Sequence, residues 1–231
     1  MTNFTLEKSV IPDFAKWIHL FNAQMDHLIV YVDNATITMQ AKNDTAIAAA
    51  KITIPFCGTG EGGMYCIALA HVDVILKCSW KDCEEITFDF QDDQCNVSFN
   101  HGPSFDIAII DMETDRIVLP HIPEVKHIAP GARELIRALG LVSPGSILLR
   151  EEEGGIKCIF KGDISGDMSM QCTNISGTGR VGLSPAFFIW GLQFMNKETY
   201  LYMETDHPLG FRSNNGDCHV SVFLAPSISD Y

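Results

Sequence analysis

The sequence predicts an α+β protein of two similar domains, each laying two helices on antiparallel sheet. Three observations predict it. One order of elements (helix with a basic outer face, strands, second helix, more strands) runs over roughly residues 5–115 and returns over roughly 125–231. Strand-like segments outnumber helical ones, and short turns join them, which favours antiparallel pairing. A duplicated order of this kind indicates a modular build, with helices layered on a curved sheet in each copy.

The first helix is expected from Val10 to Met25, where Phe14, Trp17, Ile18 and Phe21 repeat at helical spacing. Lys16 and His19 fall on its opposite face. A hairpin follows: Leu28–Val32, a turn at Asp33-Asn34, then Ala35–Gln40. Ala46–Ile54 is a third strand, closed by Pro55. The second helix is expected from His71 to Lys81, with Val72, Ile75 and Leu76 inward and Lys77 and Lys81, four apart, outward. Glu85–Phe90 and Cys95–Phe99 flank a turn at Asp92-Asp93, and Phe105–Asp111 ends the first copy.

The third helix is expected from Gly131 to Val142. Ala132, Leu135, Leu139 and Val142 form its stripe, opposite Arg133 and Arg137. Ser146–Arg150 and Ile156–Lys161 flank a turn at Glu151–Gly155, and Met168–Thr173 follows. The fourth helix opens at Ser184-Pro185, a capping residue followed by proline at the first helical position. Phe187, Trp190, Gly191 and Phe194 are its expected inner face; Ile189, Leu192 and Asn196 its outer face, with Lys197 at the flank. Thr199–Glu204 and His219–Leu224 complete the strands. The expected domains are residues 1–112 and 126–231, joined by a connector over 113–125. That connector has two prolines, alternating apolar residues and no helical period, so it reads as extended, and it exposes Ile117, Leu119 and Ile122, which want a cover.

Composition narrows the function. Hydrophobic residues at 46% and charged residues at 19% suit a folded chain rather than a disordered one. No apolar run reaches the roughly 18 residues of a membrane span, and Met1-Thr2-Asn3-Phe4 carries no basic start to an export signal. An intracellular protein is therefore expected, in cytoplasm or nucleoid, or in a nucleus. The eight cysteines are irregularly spaced and read as reduced thiols, half-buried in strand text. No paired ligands such as C-x-x-C promise a metal, and no cofactor motif is present. A net charge of −13 opposes general attraction to nucleic acid. Yet six of the 16 Lys and Arg sit on or beside the four helices, and three helices pair their cations on a solvent face.

At five places the text resembles one family. The tail Val222-Phe223-Leu224-Ala225-Pro226-Ser227-Ile228 resembles the C-terminal tail of sliding DNA clamps, the proliferating cell nuclear antigen family. The connector Asp111 to Pro123 is similar to the interdomain connecting loop of archaeal members. Ile75-Leu76-Lys77-Cys78 matches the family's second helix, Ile37–Ala41 with the strand through Pro55 its early hairpin, and His207-Pro208-Leu209 the opening of its penultimate strand. The resemblance spans nearly the whole chain, in order.

It implies a DNA clamp fold, a subunit of a closed ring, with helices lining a hole and sheets outside. The expected assembly is a homotrimer that encircles double-stranded DNA without reading its sequence. Implied DNA-binding residues are Lys16, His19, Lys77, Lys81, Arg133, Arg137 and Lys197. Implied partners are a DNA polymerase, a clamp loader and other replication and repair enzymes carrying PIP-box-type peptides. Those peptides would dock at Ile47, Leu119, Ile122, Pro208, Phe223, Ala225, Pro226 and Ile228, an apolar groove beside strand edges. Subunits would meet along Phe105, Ile107, Ile109 and Asp111 on one edge and Met168, Met170 and Cys172 on the other, satisfying edges that otherwise invite stray pairing.

The chain departs from the family in places. Gly177-Thr178-Gly179-Arg180 stands where members carry a longer loop and a strand, so a trimmed second copy is expected. Lys42, Ala46 and Ala49 replace larger or apolar pocket residues, implying a shallower groove. These leave open a specialised relative: a viral or plasmid processivity factor, a checkpoint-type clamp, or one member of a mixed ring. An enzyme is the other class. Gly58–Gly63 superficially suggests a phosphate loop, but lacks its Lys-Ser/Thr and precedes strand text, so it reads as a flexible turn. No nucleophile is paired with a base by any defensible spacing.

Overall fold

The computed structural model describes all residues except 1, 34–35, 46, 56–57, 61, 80–82, 112–117, 120–125, 129–131, 143, 172–178, 197–198, 206 and 228–231. In chain order the first elements are β1 (Thr2–Glu7), α1 (Ile11–Asn22), β2 (His27–Val32), β3 (Thr36–Lys42), β4 (Ala48–Pro55), β5 (Gly58–Gly60), β6 (Gly63–Ala68), α2 (Leu69–Ser79), β7 (Glu85–Phe90), β8 (Gln94–Phe99) and β9 (Ser104–Ala108). The second set is β10 (Lys126–Ile128), α3 (Ala132–Val142), β11 (Ser146–Glu152), β12 (Gly155–Lys161), β13 (Gly166–Gln171), β14 (Arg180–Leu183), α4 (Pro185–Leu192), β15 (Thr199–Tyr202), β16 (Leu209–Asn215) and β17 (Cys218–Leu224). The chain forms two compact units. One holds Met1–Asp44, Ala50–Ile117 and Asn215–His219; the other holds Thr45–Ala49, Val118–Asn214 and Val220–Tyr231. Each unit therefore borrows a short piece from the far side of the sequence, which a division by position along the chain does not give.

In the first unit the strands run in the orders β5-β1-β7-β8-β9 and β4-β3-β2-β6. β1 pairs antiparallel with β7 from Thr2↔Phe90 to Glu7↔Glu85. The hairpin β2–β3 turns at Asp33, whose N–H donates to the Thr36 carbonyl at 3.0 Å and whose carboxylate accepts the Thr36 N–H at 2.7 Å. An Asx-type turn of this kind fixes the register of the strands it joins. Alternation sets the faces: Phe4, Leu6, Ile86, Phe88 and Phe90 point inward and are buried. The Phe4 and Phe88 rings stack at 4.9 Å, and Phe14 of α1 meets Phe88 edge-on at 6.0 Å. Each such ring contributes about 1.5–3 kcal/mol by leaving water. α1 and α2 pack on one another. α1 ends at Asn22, three residues before the expected Met25, as the N–H groups of both Gln24 and Met25 turn back to the Phe21 carbonyl.

In the second unit the orders are β13-β12-β11-β14 and β10-β15-β16-β17. α3 packs on α4. Leu135 and Leu139 of α3, Leu149 of β11 and Phe188 of α4 are buried, with Phe188 tilted against Phe211 at 6.2 Å. The thiols at 66, 83, 95, 158 and 218 are reduced and buried, and that of Cys78 is reduced and exposed. Burial, helped by the nearby Asp89 and Asp106 charges, pushes the Cys95 thiol up to about 12; burial alone does the same to Cys158. Thiols held neutral in this way are inert packing groups.

Several expectations need correction. Gly58–Gly60 is a strand, β5, paired with β1 from Thr2↔Gly60 to Phe4↔Gly58. Of the stretch expected to be trimmed, Gly177 and Thr178 lie outside the described residues, and a strand does begin at Arg180: β14 pairs with β11 from Ile147↔Leu183 to Arg150↔Arg180. Glu151 belongs to β11 and is buried, so the turn is shorter than expected and sits on Gly154 at φ +82°. Ser184 occupies the extended position before α4 but makes no side-chain cap there. The inner face of α4 is also wider than expected: Leu192 and Phe188 are buried with Trp190. The helix is apolar all round, and a helix without a polar face has no face that sequence can assign. Among the described residues no helix is long and apolar enough to cross a membrane.

Candidate functional site

The helix pair α1–α2 carries the first candidate surface. Lys16 and His19 stand on the exposed side of α1, because Phe14, Trp17, Ile18 and Phe21 take the other. On α2 the buried residues are Leu69, Val72, Ile75 and Leu76, and Lys77 is exposed. One more α2 residue is buried: the side chain of Asp73 is only 3% exposed. Its carboxylate accepts the Lys77 Nζ at 2.8 Å and the Asn22 Nδ2 at 2.9 Å, and His19 Nδ1 lies 3.3 Å from both of its oxygens. Burial alone would raise the Asp73 carboxyl, but the hydrogen bonds from Lys77, His19 and Asn22 and the Lys77 charge outweigh it and hold it below the usual carboxylate range.

Sequence reasoning placed His19 and Lys77 on a solvent face and missed what holds them. Both are more than half exposed, yet each has its polar end on Asp73. A signal was available: Asp73 sits among apolar inward positions, four residues before Lys77, the spacing at which helical side chains meet. Lys81 lies outside the described residues. In the second unit Arg137 is exposed on α3. Arg133 lies on α3, but its side chain is outside the described set, as is Lys197 altogether.

The second candidate surface belongs to the second unit. The Ala225 N–H donates to the Ile47 carbonyl and the Ser227 N–H to the Gly182 carbonyl, both at 2.8 Å. These bonds fasten the tail beyond β17 and leave Phe223, Ala225 and Pro226 half-buried. Ile47, Leu119 and Pro208 are also half-buried, and Val118 is 91% exposed. Half-buried apolar groups beside a fastened backbone can take an apolar ligand without first unfolding anything. Ile122 and Ile228 lie outside the described residues, as does Ala46; Lys42 is exposed and Ala49 half-buried.

The two expected subunit edges stand at the ends of their sheets, β9 in one unit and β13 in the other. Ile107 is 2% exposed and Met170 5%, so both belong to the chain's own core. Phe105 packs edge-on to Phe99 at 6.2 Å, and Ile109 bridges to Ile67. Asp111 is exposed, Met168 half-buried, and Cys172 lies outside the described residues. What these edges offer outward is largely backbone N–H and C=O. Among the described residues no three His, Cys, Asp or Glu side chains gather as a metal site.

No protein-family model matches the sequence, and no curated protein matches it. Solved structures do. Over 100% of both chains the fold is similar to that of A. fulgidus PCNA bound to the C-terminal region of FEN-1, with TM-score 0.80 and 18% identity. PCNA from Thermococcus kodakaraensis matches 98% of this chain and 100% of its own, with TM-score 0.82 and 17% identity. Proliferating Cellular Nuclear Antigen from Entamoeba histolytica matches 98% and 99%, with TM-score 0.84 and 15% identity. Identity this low beside full-length superposition means that the architecture is shared while most side chains have changed: the chain has the fold of the PCNA sliding clamps, from end to end.

Proposed function

We propose that the chain is the subunit of a sliding clamp, a processivity factor that encircles duplex DNA and tethers replication and repair enzymes. The observation that carries this reading is the clamp fold over 98–100% of the chain at TM-scores of 0.80–0.84. Exposed Lys16, Lys77 and Arg137 on helices of an otherwise acidic chain support it. A ring is held on DNA by topology, so its inner face needs only weak attraction to phosphate, and strong attraction would oppose sliding.

On the same reading, residues 113–125 connect the units, and partner peptides dock beside Ile47, Leu119, Pro208, Phe223, Ala225 and Pro226. The protein acts as a scaffold rather than a catalyst, in whichever compartment holds the DNA. Three copies close head to tail through β9 and β13, main chain to main chain. The test is polymerase product length on primed circular DNA, with the cognate polymerase and loader. Longer products in the presence of the protein are expected; unchanged products with every cognate pair would overturn the reading. Replacing Pro226 and Ile228 together should abolish binding of a PIP-box peptide while leaving the oligomer intact, and binding that survives would put the groove elsewhere.

A further inference from the structure

α1 and α2 carry two lysines, Lys16 and Lys77, and two aspartates, Asp13 and Asp73. With His19 and His71 neutral, the helix pair has no net charge. The four charges are not spread alike. Asp13 accepts a hydrogen bond from the Asn215 side chain, while Asp73 is buried against the lysine of its own helix and the histidine of the other. Asn22, at the last turn of α1, adds a third donor. A carboxylate 3% exposed, with donors from both helices, costs several kcal/mol to desolvate if left alone. Val or Leu there would pack without that cost, so its presence calls for a use beyond packing.

We propose that Asp73 is a positioning residue that ties α1 to α2 and holds the charged end of Lys77, together with the His19 ring, off the phosphate path, attenuating the pull of this face on duplex DNA. The inference rests on the proposed function, because it assigns a DNA-facing role to the helix pair. The Nζ of Lys77 is already hydrogen-bonded to a carboxylate, so meeting a phosphate means exchanging one anion for another, with little gain. Lys16, outside the Asp73 cluster, makes the larger contact. The face then holds a reserve of positive charge that Asp73 keeps unspent, which suits a protein that must slide.

The test is binding of the full chain to non-specific linear duplex over a salt series, read by fluorescence anisotropy. Asp73→Asn keeps the shape and most hydrogen bonds but releases Lys77. It should tighten binding several-fold at low salt and steepen the salt slope by roughly 0.9 for each freed lysine that meets a phosphate. The charge-balanced pair Asp73→Asn/Lys77→Gln should return both quantities to those of the parent chain, which a purely structural role would not produce. Lys16→Glu should weaken binding. If Lys16→Glu weakens binding while Asp73→Asn leaves it unchanged or weaker, the attenuation proposal fails and the proposed function stands. If Lys16→Glu also changes nothing, the helix pair does not meet DNA, and both fall for this face. Should Asp73→Asn not fold, acylation of the parent chain by a neutral reagent decides. Lys77 should react more slowly than Lys16 in the free protein, and added duplex should protect Lys16 alone; equal reactivity and equal protection would overturn the proposal.

Discussion

The helix pairs of the two units occupy matching places in the element order, yet they are built from different chemistry. α1 and α2 are joined at their apolar faces and also at a buried polar hub, where Asp73 gathers Asn22, His19 and Lys77. α3 and α4 have no such hub among the described residues. α4 buries Phe188, Trp190 and Leu192 and has no charged residue within its bounds. Two copies of one layer can thus be held by different balances of burial and electrostatics, and among the described residues a buried carboxylate joins the helices of the first pair alone.

The core should not distinguish the pairs. Phe14→Ala in α1 and Phe188→Ala in α4 each remove a ring with no exposed surface, and each should cost about 3–5 kcal/mol in urea unfolding. A large cost at one and a small cost at the other would show that one pair packs loosely. The hub should distinguish them. Asp73→Ala should cost about 1.5–3 kcal/mol, the range for hydrogen bonds to a charged group, while Arg137→Ala on α3 should stay within about 0.5 kcal/mol.

pH sharpens the same contrast. The folded Asp73 carboxyl lies below its ordinary value, so its contribution is fully present above the unfolded carboxylate pKa of about 3.9 and is lost as pH falls through the folded value. The stability gap between the parent chain and Asp73→Asn, followed by urea unfolding from neutral to acid pH, should therefore close only on the acid side. A gap that persists at the acid end would mean that the carboxylate's charge is not what stabilises the pair. Effects smaller than those at the core rings and the hub are expected at two glycines of the second pair. A Cβ on Gly191 would come within 3.0 Å of Phe211 and 3.3 Å of Leu224, whereas a Cβ on Gly140 meets nothing within 4 Å. Gly191→Ala should lose about 1 kcal/mol to crowding, and Gly140→Ala should gain about as much from helix propensity.

What could be read from the sequence follows the same physics. Helices α1 to α3 were legible because each sets an apolar stripe against charge, as Phe14, Trp17 and Ile18 do against Lys16. The strands of the β7–β8 hairpin were legible because Ile86, Phe88 and Phe90 alternate with polar residues around Asp92-Asp93. β5 was not: Gly58-Thr59-Gly60 has no side-chain pattern to read and pairs through its backbone, helped by the Asn3 side chain on Thr59. β14 is four residues long and begins beside Gly179, and sequence patterns rarely mark strands that short. The apolar circumference of α4 hid its inward face. In the candidate site the cations were visible; of their anchor only the Asp73–Lys77 spacing was, because Asn22 and His19 reach Asp73 from more than fifty positions away.

The proposed assembly is a ring of copies of this chain closed around a duplex. Electron microscopy of the purified full-length protein tests it most directly. Closed rings with a central opening wide enough for double-stranded DNA are the expected particles. Solid compact particles without an opening, at every protein concentration and with the cognate loader present, would contradict the account.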